Sequence, residues 1–347
     1  MTTGIVKDWR YLEHRMGDYH PESPQRLDAV YRMVEQDPVL SSFPIIEPRP
    51  ATEEEITLVH TKTYFNEIKE TAVRERVYLD PDTSTSPRSF EVACLAAGGL
   101  LRAADMIMEG SINNGFALVR PPGHHAEASQ ARGFCIFNNV AIASQHLIKH
   151  HGLRRILIVD WDLHHGNGTQ HSFYSRNDVL YFSLHQFPHY PGTGFWNEIG
   201  SGKGEGFTIN VPLTPGKTDA DYLFIFERLL SPVAAAYEPE FVLVSAGFDI
   251  YAGDPLGGMS VSAAGFSGLT AAIMNMAAAS SQGRLLLTLE GGYNLEGLEA
   301  GVRNVLLTLG GQEPMLPPEA GVSASMRQEV EPVFKIMKMF WPVEPLP

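Results

Sequence analysis

The 347-residue chain contains only two cysteines, Cys94 and Cys135. Their number and spacing exclude a disulfide framework and a cysteine-based zinc site. No run of about 18 apolar residues occurs, so a membrane-spanning helix is excluded. Cations are scarce as well: 26 Lys and Arg against 40 Asp and Glu leave a net charge of -14. That balance lacks the clustered cations that nucleic acid rewards. An acidic surface suits cationic partners such as lysine-rich peptides or polyamines, although many soluble chains are equally acidic. The amino terminus has no basic segment followed by an apolar one, so a cytoplasmic protein of a reducing compartment is expected.

What is present is an ordinary apolar share, 44%, enough for a full core. The length allows one large α/β domain or two smaller ones. Aliphatic strand patterns at 116–120, 156–159, 179–185, 207–212, 241–246 and 285–290 alternate with helical ones. The helical patterns cover 24–35, 89–109, 137–151, 219–237, 262–281 and 295–309. Such alternation predicts a mainly parallel sheet covered on both faces. No linker or repeat interrupts it, so a single domain over 1–347 is expected, with 310–347 as an extension packed on the body. His146, His150 and His151 read most simply as solvent-facing or helix-terminal cations.

The polar residues gather where strands end. Ile156 to Val159 run straight into Asp160-Trp161-Asp162-Leu163-His164-His165-Gly166-Asn167. Asp160, Asp162 and His164 are spaced by two, which aims them to one side of an extended backbone. Two carboxylates and an imidazole at a strand end are metal-ligand chemistry. Similar loops hold His124-His125, Asp249 with Asp254, and Glu290-Gly291-Gly292-Tyr293. Parallel strands bring their carboxyl ends to one edge, where open α/β sheets bind ligands.

Taken together, Arg120-Pro121-Pro122-Gly123-His124-His125, Gly133-Phe134-Cys135, Asp160 to Gln170, Ser245 to Asp249 and Glu290 to Tyr293 resemble the zinc-dependent histone deacetylase family. The likeness is greatest to its class II branch and to the bacterial deacetylase-like amidohydrolases. It extends more weakly back through His20-Pro21-Glu22-Ser23-Pro24-Gln25-Arg26-Leu27. The resemblance implies a three-layer α/β/α arginase-like fold. It also implies one catalytic zinc on Asp162, His164 and Asp249, with a fourth position for water and substrate.

By the same resemblance, His124 and His125 form the histidine pair, with His125 as proton shuttle. Asp160 backs His124, and a neutral Asn167 backs His125 where some relatives carry an acid. Tyr293 would stabilise the oxyanion. The acyl-lysine tunnel would be walled by Phe134 and Tyr190, either of which could instead be core, with Gly133 admitting the stem. Asp82, with Asp80 as its competitor, would accept the substrate's N–H. Potassium would bind Asp160, Asp162, His164, Ser183 and Leu184. A second potassium would bind carbonyls of Phe173, Arg176, Val179 and Phe207.

Leu256 occupies the position where the polyamine-preferring branch carries glutamate, which favours acetylated lysine in peptides or proteins. Acetylpolyamines, other small acyl-amines and longer acyl chains are the alternatives. Hydroxamate-type inhibitors are expected to bind, and the oligomeric state is left open. Two rival readings are an arginase-like hydrolase with two metals, for which extra carboxylates are lacking, and a non-catalytic acyl-binding module, which would have lost Tyr293, a histidine or a ligand.

Overall fold

The computed structural model describes residues 2–315 and 321–346. Ten strands form in chain order: β1 (Thr3–Val6), β2 (Ile45–Ile46), β3 (Val77–Tyr78), β4 (Ser84–Thr85), β5 (Asn114–Ala117), β6 (Ile156–Asp160), β7 (Val179–Gln186), β8 (Thr208–Leu213), β9 (Phe241–Ala246) and β10 (Leu285–Leu289). Eight of them make one sheet in the order β2-β1-β5-β10-β9-β6-β7-β8. Every pairing in it is parallel. Its central strands are buried at every residue, as continuous aliphatic runs require when helices cover both faces. The expected three-layer α/β/α architecture is therefore present.

Strand register sets the site. Asp160 closes β6 opposite Ser183 on β7 and Ser245 on β9. The loops after β5, β6, β9 and β10 consequently leave the sheet side by side. The short antiparallel hairpin of β3 and β4 carries the turn at 79–83 towards the same edge.

Several expectations need correction. Thr3–Val6, outside every strand pattern read from the sequence, is a fully buried strand between β2 and β5; four residues are too few to show a period. The helix expected over 219–237 is broken by a π-helical turn at Phe226–Leu230. Pro232, which cannot donate an N–H and crowds the preceding carbonyl, accounts for it. The extension forms a helix, Met326–Met337, held to the body where Lys217 Nζ meets Glu329 Oε1 at 2.7 Å. His146 is not solvent-facing: it is buried, and both it and His151 pair with Asp105.

Candidate active site

Asp162 and His164 lie on the loop that follows β6, and Asp249 on the loop that follows β9. His164 Nδ1 is 3.1 Å from Asp162 Oδ1 and 3.1 Å from Asp249 Oδ2. All three residues are buried, and their donor atoms lie within 4.8 Å of one another. The remaining carboxylate oxygens are pinned by backbone N–H groups, Gly291 N to Asp162 Oδ2 at 2.8 Å and Leu163 N to Asp249 Oδ1 at 2.9 Å. A Cβ at Gly291 would lie 2.2 Å from Asp249 Oδ2, so glycine is needed for that close approach.

Burial and the neighbouring charge of Asp162 push the Asp249 carboxyl up to about 7. Burial opposes charge on His164, but hydrogen bonds to Asp162 and Asp249 raise its imidazole to about 9. Two buried carboxylates so close call for a compensating cation. An Asp₂His set with solvent on its open side matches the three-ligand pattern of a catalytic zinc site.

The loop after β5 supplies His124 and His125, whose ring centroids are 4.0 Å apart. Their partners differ in kind. His124 Nδ1 lies 3.1 Å from Asp160 Oδ2, which also accepts the Tyr181 hydroxyl at 3.0 Å. Burial works against protonating His124, yet Asp160 and then Asp162 prevail and lift it to about 10. His125 Nδ1 meets Asn167 Oδ1 at 2.8 Å. Burial, followed by the charges of His124 and His164, drives His125 well below the usual imidazole range. The two imidazoles are thus shifted in opposite directions, His124 towards the charged form and His125 towards the neutral one.

Tyr293 follows the Gly291-Gly292 turn. Its backbone N–H donates to Asp254 Oδ2 at 2.7 Å. The Arg26 guanidinium lies 4.9 Å from its ring centroid, and Arg26 Nε donates to the Gly292 carbonyl at 2.7 Å. Burial raises the phenol well above its ordinary range, so it is a hydrogen-bond donor at neutral pH. Glu290, raised by burial to about 7, accepts the Gly123 N–H at 2.7 Å and the Ser245 hydroxyl at 3.0 Å. These bonds tie the loop after β10 to the one after β5.

A cavity of about 350 Å³ opens onto these groups. It is lined by His124, His125, His164 and Tyr293, by Gly133, Phe134 and Tyr190, and by Asp82, Pro122, Pro255, Leu256 and Gly291. Gly133 has φ +54, and a Cβ there would lie 2.4 Å from the His125 ring. Asp82 rather than Asp80 lines the cavity. Asp80 Oδ1 instead accepts the Asp82 N–H at 2.9 Å within the hairpin turn.

His189 is a lining residue that the sequence reading passed over. Its ring sits 5.1 Å from His164, and its position next to Tyr190 was the available signal. The role of Arg26 was equally hidden, since it acts through buried contacts with the Glu290 and Gly292 carbonyls far along the chain.

A larger cleft of about 780 Å³ lies between helices around Leu223, Phe226, Ala272 and Met276. No histidine lines it, so the smaller cavity is where the chemistry resides. Of the residues expected around potassium, Asp160 and Ser183 face each other across β6 and β7. The Phe173 and Phe207 carbonyls accept backbone N–H groups of Arg176 and Tyr181, each at 2.9 Å.

Comparison with known proteins agrees with this arrangement. A family described as "Histone deacetylase domain" matches residues 20–309. A "Probable deacetylase" of Archaeoglobus fulgidus is 40% identical over 86% of this chain and 83% of its own. "Histone deacetylase 15" of Arabidopsis thaliana is 41% identical over 98% of this chain and 63% of its own. "Polyamine deacetylase HDAC10" of Homo sapiens is 41% identical over 90% and 48%. The chain spans about half the length of several such relatives, for example 54% of "Histone deacetylase 5". A solved structure, "Crystal Structure of HDA15 HD domain", superposes with a TM-score of 0.92 at 39% identity, covering 98% of this chain and 95% of that one. With matched family residues spanning every loop that builds the cavity, the chain belongs to the histone deacetylase family.

Proposed function

We propose that this protein is a zinc-dependent amidohydrolase that removes acetyl groups from lysine side chains of peptides or proteins, its residues 1–347 acting as one catalytic unit. The observation that carries this reading is the convergence of Asp162, His164 and Asp249 beside a cavity that His164 lines together with the His124–His125 pair and Tyr293. A zinc ion on those three donors would supply Lewis acidity and acidify water.

The chain's own residues account for the proton movements. Asn167 Oδ1 holds the proton of His125 on Nδ1, which leaves the Nε2 lone pair free to take a proton from the attacking water. Attack forms the C–O bond and places negative charge on the former carbonyl oxygen, where the Tyr293 hydroxyl donates. As the C–N bond breaks, His125 returns its proton to the leaving amine, giving acetate and free lysine. His124, whose charged form Asp160 favours, would contribute positive field beside the oxyanion. Phe134 and Tyr190 would flank the aliphatic stem, and Asp82 would accept an N–H of the substrate backbone.

Leu256 at the cavity rim offers no charge to a second amine, which favours lysine over polyamine. Potassium at the carbonyl sites named above would have a structural role, and hydroxamates would occupy the cavity. The Asp₂His cluster, with His165 turned away towards Thr193 and Gln170, supports one metal there rather than the arginase-like pair.

The test is metal analysis and turnover on the same preparation. One zinc in the cavity, lost in Asp249→Ala but kept in His125→Ala, with hydrolysis of an acetyl-lysine peptide faster than of acetylputrescine or acetylspermidine, is expected. Zinc-loaded protein that turns over no acyl-amine would leave a binding module as the better reading. Retained cavity zinc in Asp249→Ala would refute the ligand set.

A further inference from the structure

The helix Asn139–His151 begins beside the loop that bears His124 and His125, where Asn139 Nδ2 donates to the Pro121 carbonyl at 3.2 Å. Its last two turns, reaching about 18 Å further on at 1.5 Å per residue, carry His146, His150 and His151. There the neighbouring helix Ser89–Met108 presents Asp105. Nε2 of His146 and Nε2 of His151 both approach Asp105 Oδ1, at 2.7 and 2.8 Å. The three donor atoms lie within 4.8 Å of one another.

His146 is buried, and its Nδ1 has no hydrogen-bond partner. The side chains of Asp105 and His151 are each 22% exposed, so one side of the group meets solvent. The exposed His150, one turn after His146, has its ring 4.7 Å away.

We propose that Asp105, His146 and His151 form a second metal site, separate from the catalytic cluster, for a zinc-like divalent ion, with His150 or water completing the coordination. Two imidazoles and a carboxylate are the donors that zinc and its neighbours prefer. A single Asp105 oxygen now serves two N–H groups. An ion between the three donors replaces both protons with one shared charge. Seating zinc opens the donor separations to about 3.3 Å, as tetrahedral bonds of about 2.0 Å require. The side chains of Asp105 and His151, each partly exposed, can rotate by that amount.

The site lies at the carboxyl end of its helix, where the macrodipole favours a cation. Of the cations nearby, Arg49 is engaged by Glu55 at 2.7 Å and Lys149 is exposed. The ion would clip together two helices, one of which supports the loop bearing His124 and His125.

The alternative is a His–Asp–His hydrogen-bonded clamp that needs no metal. Full-length protein stripped of metal and titrated with Zn²⁺, followed by counting of bound metal, separates the two. The parent is expected to bind two equivalents and His151→Ala one, with deacetylase turnover unchanged. Asp249→Ala should still bind one equivalent, and that zinc should raise its Tm by about 3 °C or more. Adding His151→Ala, or the milder Asp105→Asn, should abolish both uptake and shift. Absence of uptake by Asp249→Ala, or an uptake that does not fall by one equivalent when His151→Ala or Asp105→Asn is added, would overturn the site. Failure of the catalytic ligand set alone would instead show as two equivalents in Asp249→Ala, falling to one in Asp249→Ala/His151→Ala.

Discussion

Asn167 presents its amide oxygen, not its nitrogen, to His125 Nδ1 at 2.8 Å. Its Nδ2 is committed to the His125 carbonyl at 3.2 Å and to Glu127 Oε1, so the amide cannot flip without losing both. A neutral amide fixes the tautomer of His125 without adding charge, whereas Asp160 gives His124 a full one. Asn167→Asp would replace orientation by charge and raise the pKa of His125. The acidic limb of the kcat/KM pH profile is expected to move up by about 1 unit. Asn167→Ala, which frees the ring, should lower kcat by about 10- to 100-fold with KM little altered. A profile that does not move in Asn167→Asp would mean that His125 is not the base.

Tyr293 is held from two sides, by Asp254 at its backbone N–H and by Arg26 over its ring. Tyr293→Phe keeps the ring and those contacts and removes only the hydroxyl. Turnover should fall by about 10²–10³-fold, while zinc content and Tm stay at parent values. Equal losses in turnover and Tm would instead assign Tyr293 to packing.

Glu22 lies fully buried between Arg120 and Arg26. Burial alone would raise its carboxyl, but Arg120 outweighs that and depresses it to about 2 from 4.5. The folded state therefore prefers the ionised form. The resulting stability is fully present above about pH 4.5 and is lost as pH falls towards 2. Glu22→Gln should destabilise the protein at pH 7 by about 3 kcal/mol. It should also flatten the fall in Tm between pH 5 and 3. A parallel fall in both proteins would show that other carboxylates govern acid unfolding.

Much of this was legible in the sequence because each strand that feeds the site is a continuous aliphatic run that stops at an acid or a histidine. Ile156–Asp160 and Phe241–Ala246 declare both their burial and their ends. Thr3–Val6 does not, since its assignment depends on neighbours far along the chain. The π turn at Phe226–Leu230 was equally hidden, because Pro232 breaks a ladder without changing the apolar period. Asp105 with His146 and His151 escaped notice for a third reason: the partners sit 41 and 46 residues apart on two helices whose pairing no local pattern encodes. His189 was visible but ambiguous, as adjacent residues in a loop can both reach a cavity that alternation would assign to one.

Leu256, which lines the cavity, is expected to govern which amine the cavity accepts. Its N–H is held by Asp254 Oδ1 at 2.9 Å, which fixes the loop that presents it, and its side chain shares the cavity with Asp82. An uncharged leucine cannot pair with a distant ammonium group. Leu256→Glu would set a carboxylate there, near an Asp82 whose own carboxyl is already raised by burial and by Asp80. The combined field favours a polycation. The ratio of kcat/KM for acetylspermidine over an acetyl-lysine peptide is expected to rise by about 10-fold or more. That gain should shrink between 0.05 and 0.5 M salt, roughly as the screening length falls below the separation of the charges. A ratio unmoved at low salt would place the second amine elsewhere and remove Leu256 from the determinants of specificity.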